Sequence, residues 1–222
     1  MSEKIIKITA EDGHTFDAFQ AIPQGNAKGG LVILQEIFGM TEQLKNVTRF
    51  WAKQGYASIL PAMYDRIKPE IILEFSDMDT AQAMAKELDP SNVLKDITAS
   101  VMSVNNENGV SLIGFCWGGG AAARMASLLD LKGSVAYYGT KLAENASNGA
   151  NCATLFHFGA TDIHSPPEII AGVKENIPDA ESYVYEAGHA FANDARPDFY
   201  AEQATLEARS RTLKFLDRVH QA

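Results

Sequence analysis

The chain has 222 residues, 46% of them hydrophobic and 21% charged, with a formal net charge of −9. That length and composition suit a folded protein with a sizeable core, and we expect a single domain over residues 1–222. The acidic balance argues against nucleic acid or an anionic membrane as the main partner, because both are bound by basic surface. The first residues, MSEKIIKITAEDGHTF, scatter charges through the segment and hold no apolar stretch of signal-peptide length. No uncharged apolar run reaches the roughly 18–20 residues that span a bilayer, so a cytoplasmic location is expected. The two cysteines, Cys116 and Cys152, have no C-x-x-C spacing. They fit one reactive thiol and one core thiol, not a disulfide scaffold or a four-cysteine zinc site.

Taken in chain order, Lys4–Thr9 and Thr15–Ile22 alternate apolar and polar residues around Glu11-Asp12-Gly13-His14, which predicts an antiparallel hairpin. Leu31–Leu34 is a continuous apolar run, as in a strand covered on both faces. Thr41–Gln54 spaces Leu44, Val47, Phe50 and Trp51 helically and ends at Gly55. Tyr56–Leu60 is the next strand, stopped by Pro61. From Asp77 to Asn105 the pattern is helical, broken at Pro90, with Ser91 expected to cap the second helix. Val110–Phe115 is a strand that runs into Cys116-Trp117-Gly118-Gly119-Gly120, and a helix is expected over Ala121–Leu129. Gly133–Tyr138 and Ala153–Phe158 are strands, separated by a polar loop at Lys141–Asn151. A helix over Pro167–Asn176 and a strand over Ser182–Glu186 follow. A closing helix from Tyr200 to about Val219 should turn Leu206, Leu213, Phe215 and Leu216 inward. Strands alternating with helices imply an α/β protein with a mostly parallel, doubly wound sheet behind an antiparallel N-terminal hairpin.

In such a sheet, function collects at the carboxyl ends of the strands. Three of those ends carry catalytic side-chain types. Gly114-Phe115-Cys116-Trp117-Gly118 is a G-x-nucleophile-x-G elbow with cysteine in the serine position. A strand-to-helix turn that tight strains the nucleophile's backbone and leaves no room for a Cβ at the flanking positions. The helix beginning there aims N–H groups at Cys116, which favours a thiolate or a developing oxyanion. Asp162, in Gly159-Ala160-Thr161-Asp162, can accept a hydrogen bond from a histidine and fix its tautomer. His189, in Gly188-His189-Ala190-Phe191, follows the last strand. Each has a bland alternative: a glycine turn with a buried cysteine, a helix cap, a satisfied surface histidine. Their joint order of nucleophile, acid and histidine is the order of an α/β-hydrolase triad. Of the other histidines, His157 reads as a core residue within a strand and His14 as part of the hairpin turn. His220 reads as part of the terminal tail, and His164 as a neighbour able to orient the Asp162 loop. None has metal-ligand spacing with a carboxylate, so no metal and no cofactor are expected.

With these residues in hand, the chain resembles the dienelactone hydrolase (carboxymethylenebutenolidase) family over essentially its whole length. The likeness rests on Gln35-Glu36-Ile37-Phe38-Gly39, Pro61-Ala62-Met63-Tyr64-Asp65-Arg66, Gly114-Phe115-Cys116-Trp117-Gly118-Gly119, Gly159-Ala160-Thr161-Asp162 and Ala187-Gly188-His189-Ala190-Phe191. It implies an α/β-hydrolase fold without a large cap domain, Cys116 as nucleophile, His189 as base and later acid, and Asp162 as orienting group. It implies an oxyanion hole from the N–H groups of Ile37 and Trp117, and substrate contacts from Arg66, Phe38 and Phe191. Glu36 matches a carboxylate that in the family is thought to keep the cysteine protonated until substrate displaces it. Like-charge repulsion between carboxylate and thiolate is consistent with that. Arg66 matches a residue that binds the substrate carboxylate. The chain departs from the family where a second arginine is expected, at Asn193, and where a serine is expected, at Ala190; Arg196 lies three residues beyond Asn193.

The expected reaction is hydrolysis of a small ester or lactone of the dienelactone type through a thioester, with the substrate's charge left open. Thiolate attack suits activated, enol-type esters, because a thiolate is itself readily expelled from a poor ester's tetrahedral intermediate. A general carboxylesterase or thioesterase with the same residues is the alternative, and a thiol sensor on the same scaffold is the alternative outside catalysis. The expected assembly is a monomer or small homo-oligomer.

Overall fold

The alternating N-terminal segment forms the predicted hairpin, with β1 (Ser2–Thr9) antiparallel to β2 (Thr15–Ile22) from Ser2↔Ile22 to Thr9↔Thr15. The computed structural model describes residues 1–221, in two compact units, the first Met1–Val110 and the second from Ser111 onward. In the first unit β2 pairs antiparallel with β4 (Ala57–Pro61), and β4 pairs parallel with β3 (Gly30–Leu34). Both inner strands are buried at every position; β3 accordingly reads as a continuous apolar run, and the buried Ser58 of β4 donates its hydroxyl to Tyr56 O. Pro61 does not stop β4; it is the strand's last residue, opposite Ala18.

The helix α1 (Glu42–Lys53) packs against β2 and β4. Thr41 caps it by accepting the Leu44 N–H, and it buries Leu44, Val47 and Trp51, each contributing about 1.5–3 kcal/mol of apolar burial. After a 3-10 turn at Met63–Arg66 come α2 (Met78–Glu87) and α3 (Pro90–Val104). The cap of α3 is Asp89, not Ser91: its carboxylate accepts the N–H groups of Ser91 and Asn92. Pro90 explains the shift, because a residue without an N–H and with φ preset near −65° belongs at the first helical position.

In the second unit β5 (Val110–Phe115), β6 (Gly133–Tyr137), β7 (Ala153–Gly159) and β8 (Glu181–Tyr185) lie side by side, and every pairing among them is parallel. The helix α4 (Trp117–Met125) begins directly after Cys116, four residues earlier than expected. The stretch expected as a loop contains the one-turn α5 (Leu142–Asn145). Leu142 joins Ala123, Ala136, Phe156, Phe158 and Val173 of α6 (Pro167–Asn176) in one apolar cluster. The closing helix α7 (Glu202–Gln221) packs against β6 and β7. Phe215 and Leu216 face inward as expected, but Leu206 is 54% exposed. The buried stripe runs instead through Thr205, Ala208, Thr212 and Phe215, and Leu206 falls about 100° off it. His220 is not in a tail: it is buried in the last turn of α7, with Nε2 2.9 Å from Ser111 Oγ.

Among the described residues no helix is long and apolar enough to cross a membrane.

Candidate active site

Cys116 sits between the end of β5 and the start of α4 with φ 54° and ψ −115°, a conformation costing a non-glycine residue about 1–3 kcal/mol. The surrounding backbone holds it there. Its N–H donates to Tyr137 O at 3.1 Å, and its carbonyl accepts from Gly119, Gly120 and Thr140 at 3.0, 3.2 and 3.1 Å. The glycine rule of the elbow has a measurable cause. A Cβ on Gly114 would lie 1.9 Å from the Gly118 carbonyl oxygen, and one on Gly119 would lie 2.8 Å from Gly139 Cα. Both obstacles are backbone, so neither can step aside.

The loop after β7 delivers Asp162 and the loop after β8 delivers His189. His189 Nδ1 lies 2.8 Å from Asp162 Oδ2, and His189 Nε2 lies 3.2 Å from Cys116 Sγ. The three groups predicted from separate motifs therefore meet in one hydrogen-bonded file. The Asp162 carboxylate is fully buried, and the His189 side chain is 19% exposed. Burial alone would push the His189 pKa down. Its hydrogen bonds to Asp162 and Cys116, with the charges of both, outweigh that and raise it from 6.5 to about 10. The arrangement holds a protonated imidazole beside a sulfur, the geometry of a nucleophile paired with its proton carrier. Cys152 has a different setting: it is half-buried, and burial pushes its thiol up to about 11, which leaves it a poor nucleophile at neutral pH.

Around this file the structure adds Tyr138, which the sequence reading did not single out, and gives the settings of His164 and Ala190, which it did. Tyr138, at φ 38° after β6, packs its ring edge-on at 5.3 Å from that of His189. His164 places its ring 4.7 Å from that of His189. Ala190, next to the histidine, has φ 60°. The available signal was topological: β6 is a third parallel strand whose carboxyl end faces the same way as those of β5 and β7. Behind them, His157 is fully buried on β7, with Nδ1 2.8 Å from Tyr185 Oη and Nε2 2.9 Å from Thr212 Oγ1. Thr212 Oγ1 in turn meets Tyr137 Oη at 2.7 Å. Burial, with Arg211 adding to it, lowers the His157 pKa to about 3, so this histidine is the core residue the sequence suggested.

The substrate contacts expected at Phe38, Phe191 and Arg66 meet other surroundings. Phe191 is fully buried and packs among Tyr137, Tyr138 and Tyr185. Phe38 is 2% exposed and stacks edge-on with Phe75 at 4.9 Å. Arg66 is paired with two carboxylates. Its Nε and Nη2 each lie 2.8 Å from one oxygen of the buried Asp96, and its Nη1 lies 3.0 Å from Asp12. Arg196 lies over the Phe199 ring, 4.0 Å from its centroid, and Asn193 is buried, with Oδ1 accepting the Ala195 N–H. Glu36 is buried two residues after the end of β3, and the Ile37 carbonyl accepts from Tyr64 Oη at 2.7 Å. Among the described residues no group of three or more His, Cys, Asp and Glu side chains is arranged to hold a metal ion.

The dienelactone hydrolase family model matches residues 16–220. A carboxymethylenebutenolidase of Pseudomonas putida is 30% identical over 224 residues, covering 95% of this chain and 94% of its own. Among solved structures, a candidate dienelactone hydrolase from Klebsiella pneumoniae superposes with a TM-score of 0.83 at 24% identity, over 97% of this chain and 99% of that one. An alpha-beta serine hydrolase homologue from Coxiella burnetii superposes with a TM-score of 0.68 at 14% identity, over 96% and 97%. The fold is that of the α/β-hydrolases, and the chain belongs to the dienelactone hydrolase family.

Proposed function

We propose that this enzyme hydrolyses a small ester or lactone of the dienelactone type through a thioester on Cys116. The observation that carries the reading is the file Asp162–His189–Cys116, with separations of 2.8 and 3.2 Å. Cys116 Sγ attacks the carbonyl carbon, forming a C–S bond and a tetrahedral oxyanion. The Trp117 N–H, at the first position of α4 and next to the nucleophile, donates to that oxygen. The carbonyl re-forms as the C–O bond to the leaving group breaks, and the leaving oxygen takes the proton held on His189 Nε2. Water then gives a proton to the same nitrogen and attacks the thioester carbon. The C–S bond breaks, the acid is released, and the sulfur leaves as a thiolate beside the protonated His189, the state from which the cycle began. Asp162 keeps Nδ1 protonated throughout, so Nε2 remains the nitrogen that exchanges protons.

The test is mass spectrometry of the protein quenched during turnover of p-nitrophenyl acetate and of a panel of small lactones. An acyl group on the Cys116 peptide, with Cys116→Ala and His189→Ala both inactive, is expected. Unimpaired turnover by Cys116→Ala would end the proposal. A wider ester range is the second reading, favoured by the engagement of Arg66 with Asp96 and Asp12 and by Asn193 in place of an arginine. Turnover of p-nitrophenyl esters with none of cis-dienelactone would select it.

A further inference from the structure

His164 is one imidazole more than the triad uses. It lies two residues beyond Asp162, and its backbone N–H donates to Asp162 Oδ1 at 2.9 Å while Oδ2 receives His189 Nδ1. Its side chain lies against the catalytic ring, with centroids 4.7 Å apart and planes at 61°. Two aromatic rings therefore pack on His189: Tyr138, which is 1% exposed, and His164, which is exposed. Among the described residues the His164 ring is engaged by neither a hydrogen bond nor an ion pair, so its contact is the packing itself. Partial desolvation against the His189 ring, and secondly the positive charge of His189, hold its pKa below the ordinary histidine value, so at neutral pH it is an uncharged ring beside an imidazolium.

The catalytic cycle makes that packing matter at one stage above others. In the free enzyme His189 is tethered at both nitrogens, by Asp162 and by Cys116. Once sulfur is acylated it has no proton and carries no charge, and the tether at Nε2 is lost. Among the described residues, the Nδ1 bond and the neighbouring rings then keep Nε2 aimed at the hydrolytic water. We propose that His164 is a positioning residue for His189, its ring holding the imidazole in line while Cys116 is acylated. This inference rests on the thioester reading of the site.

The test is rapid-mixing turnover of p-nitrophenyl acetate by His164→Ala and His164→Phe, with the acyl-enzyme followed by mass spectrometry and melting temperature measured for each. Misplacing a catalytic group by a fraction of an ångström is enough for about a 10-fold loss. His164→Ala should lower the steady-state rate by about that factor, leave the first acylation within about 3-fold of the parent, and accumulate the Cys116 thioester. His164→Phe, which restores a ring and no acid–base group, should recover the steady state to within about 3-fold. An unchanged steady state in His164→Ala, equal slowing of both phases, or a phenylalanine variant no better than alanine would each overturn the role. Cys116→Ala and His189→Ala, run alongside, separate the two claims. If they are inactive while His164→Ala is silent, only this inference fails; if they remain active, the triad reading fails with it.

Discussion

Replacing Asp162 by asparagine removes one charge from the file Asp162–His189–Cys116 and leaves its shape intact. Raising His189 from 6.5 to about 10 corresponds to about 5 kcal/mol of net preference for the imidazolium, since each unit is worth about 1.4 kcal/mol. With the histidine side chain only 19% exposed and the carboxylate fully buried, solvent screens little of that. If Asp162 supplies about half of it, Asp162→Asn should lower the His189 midpoint by about two units. The asparagine amide can also donate to Nδ1, which moves the ring proton to Nε2 and removes the lone pair that must accept from sulfur or water. A loss of about 10³–10⁴ in turnover should accompany the shift. Histidine-ring NMR, with His189 assigned by its absence in His189→Gln, reads the midpoint directly. The parent signal should hold steady from pH 6 to 8.5 and move near 10. A parent His189 titrating near 6.5, or a midpoint unmoved in Asp162→Asn, would refute the electrostatic account. The sign carries over to stability. A raised pKa stabilises the fold fully below about pH 6.5, and that contribution is lost as pH climbs toward 10, so denaturation in urea should become easier over that interval.

Arg66→Met should destabilise the protein by about 3–5 kcal/mol in urea, because it strands the buried Asp96 carboxylate, and Arg66→Met with Asp96→Asn should recover part of the loss. A rise in KM for a carboxylate-bearing lactone with stability unchanged would instead return Arg66 to substrate binding. Gly114→Ala should fail to accumulate as folded protein, or melt far below the parent, since its Cβ meets the Gly118 carbonyl at 1.9 Å; circular dichroism with melting curves reads this. His157 stays neutral in the fold down to about pH 3, whereas the unfolded chain binds its proton below about 6.5. Its contribution is therefore present above pH 6.5 and fades as pH falls, with a slope near 1.4 kcal/mol per unit. His157→Phe should remove that slope and cost about 1–3 kcal/mol at pH 7 by leaving buried hydroxyls of Thr212 and Tyr185 without their partner.

Where a constraint acts between near neighbours in the chain, the residues alone were enough. The limits of β5 and α6 match the predicted ones, because an apolar run meeting a glycine elbow, or a proline pair opening a helix, decides its own ends. The elbow at Cys116 was legible for the same reason at Gly114, whose Cβ would meet Gly118 four residues on, whereas Gly119 answers to Gly139, which the fold brings beside it. Asp162 and His189 were legible through their places after successive strands, though their meeting with Cys116 was inferred from order, not from distance. The cap of α3 shows how fine the local limit is, since Asp89 and Ser91 are both good caps and only the seat of Pro90 separates them. What tertiary structure alone decided are the pairings between distant positions. Arg66 meets Asp12 and Asp96 across 54 and 30 positions, and His157 meets Thr212 across 55. Side chains of those types are compatible with many partners, and nothing in their local spacing selects one. Leu206 turned outward because the opposite face of α7 is held inward, with Thr205 bonded to Phe191 O and Thr212 to Tyr137 of β6 and His157 of β7, partners that the helix pattern alone does not reveal. The ring of His164 on His189 is of the same kind. Steric limits on the backbone are written in neighbouring residues, whereas a buried charge or an aromatic ring is satisfied by whatever the folded chain brings within reach.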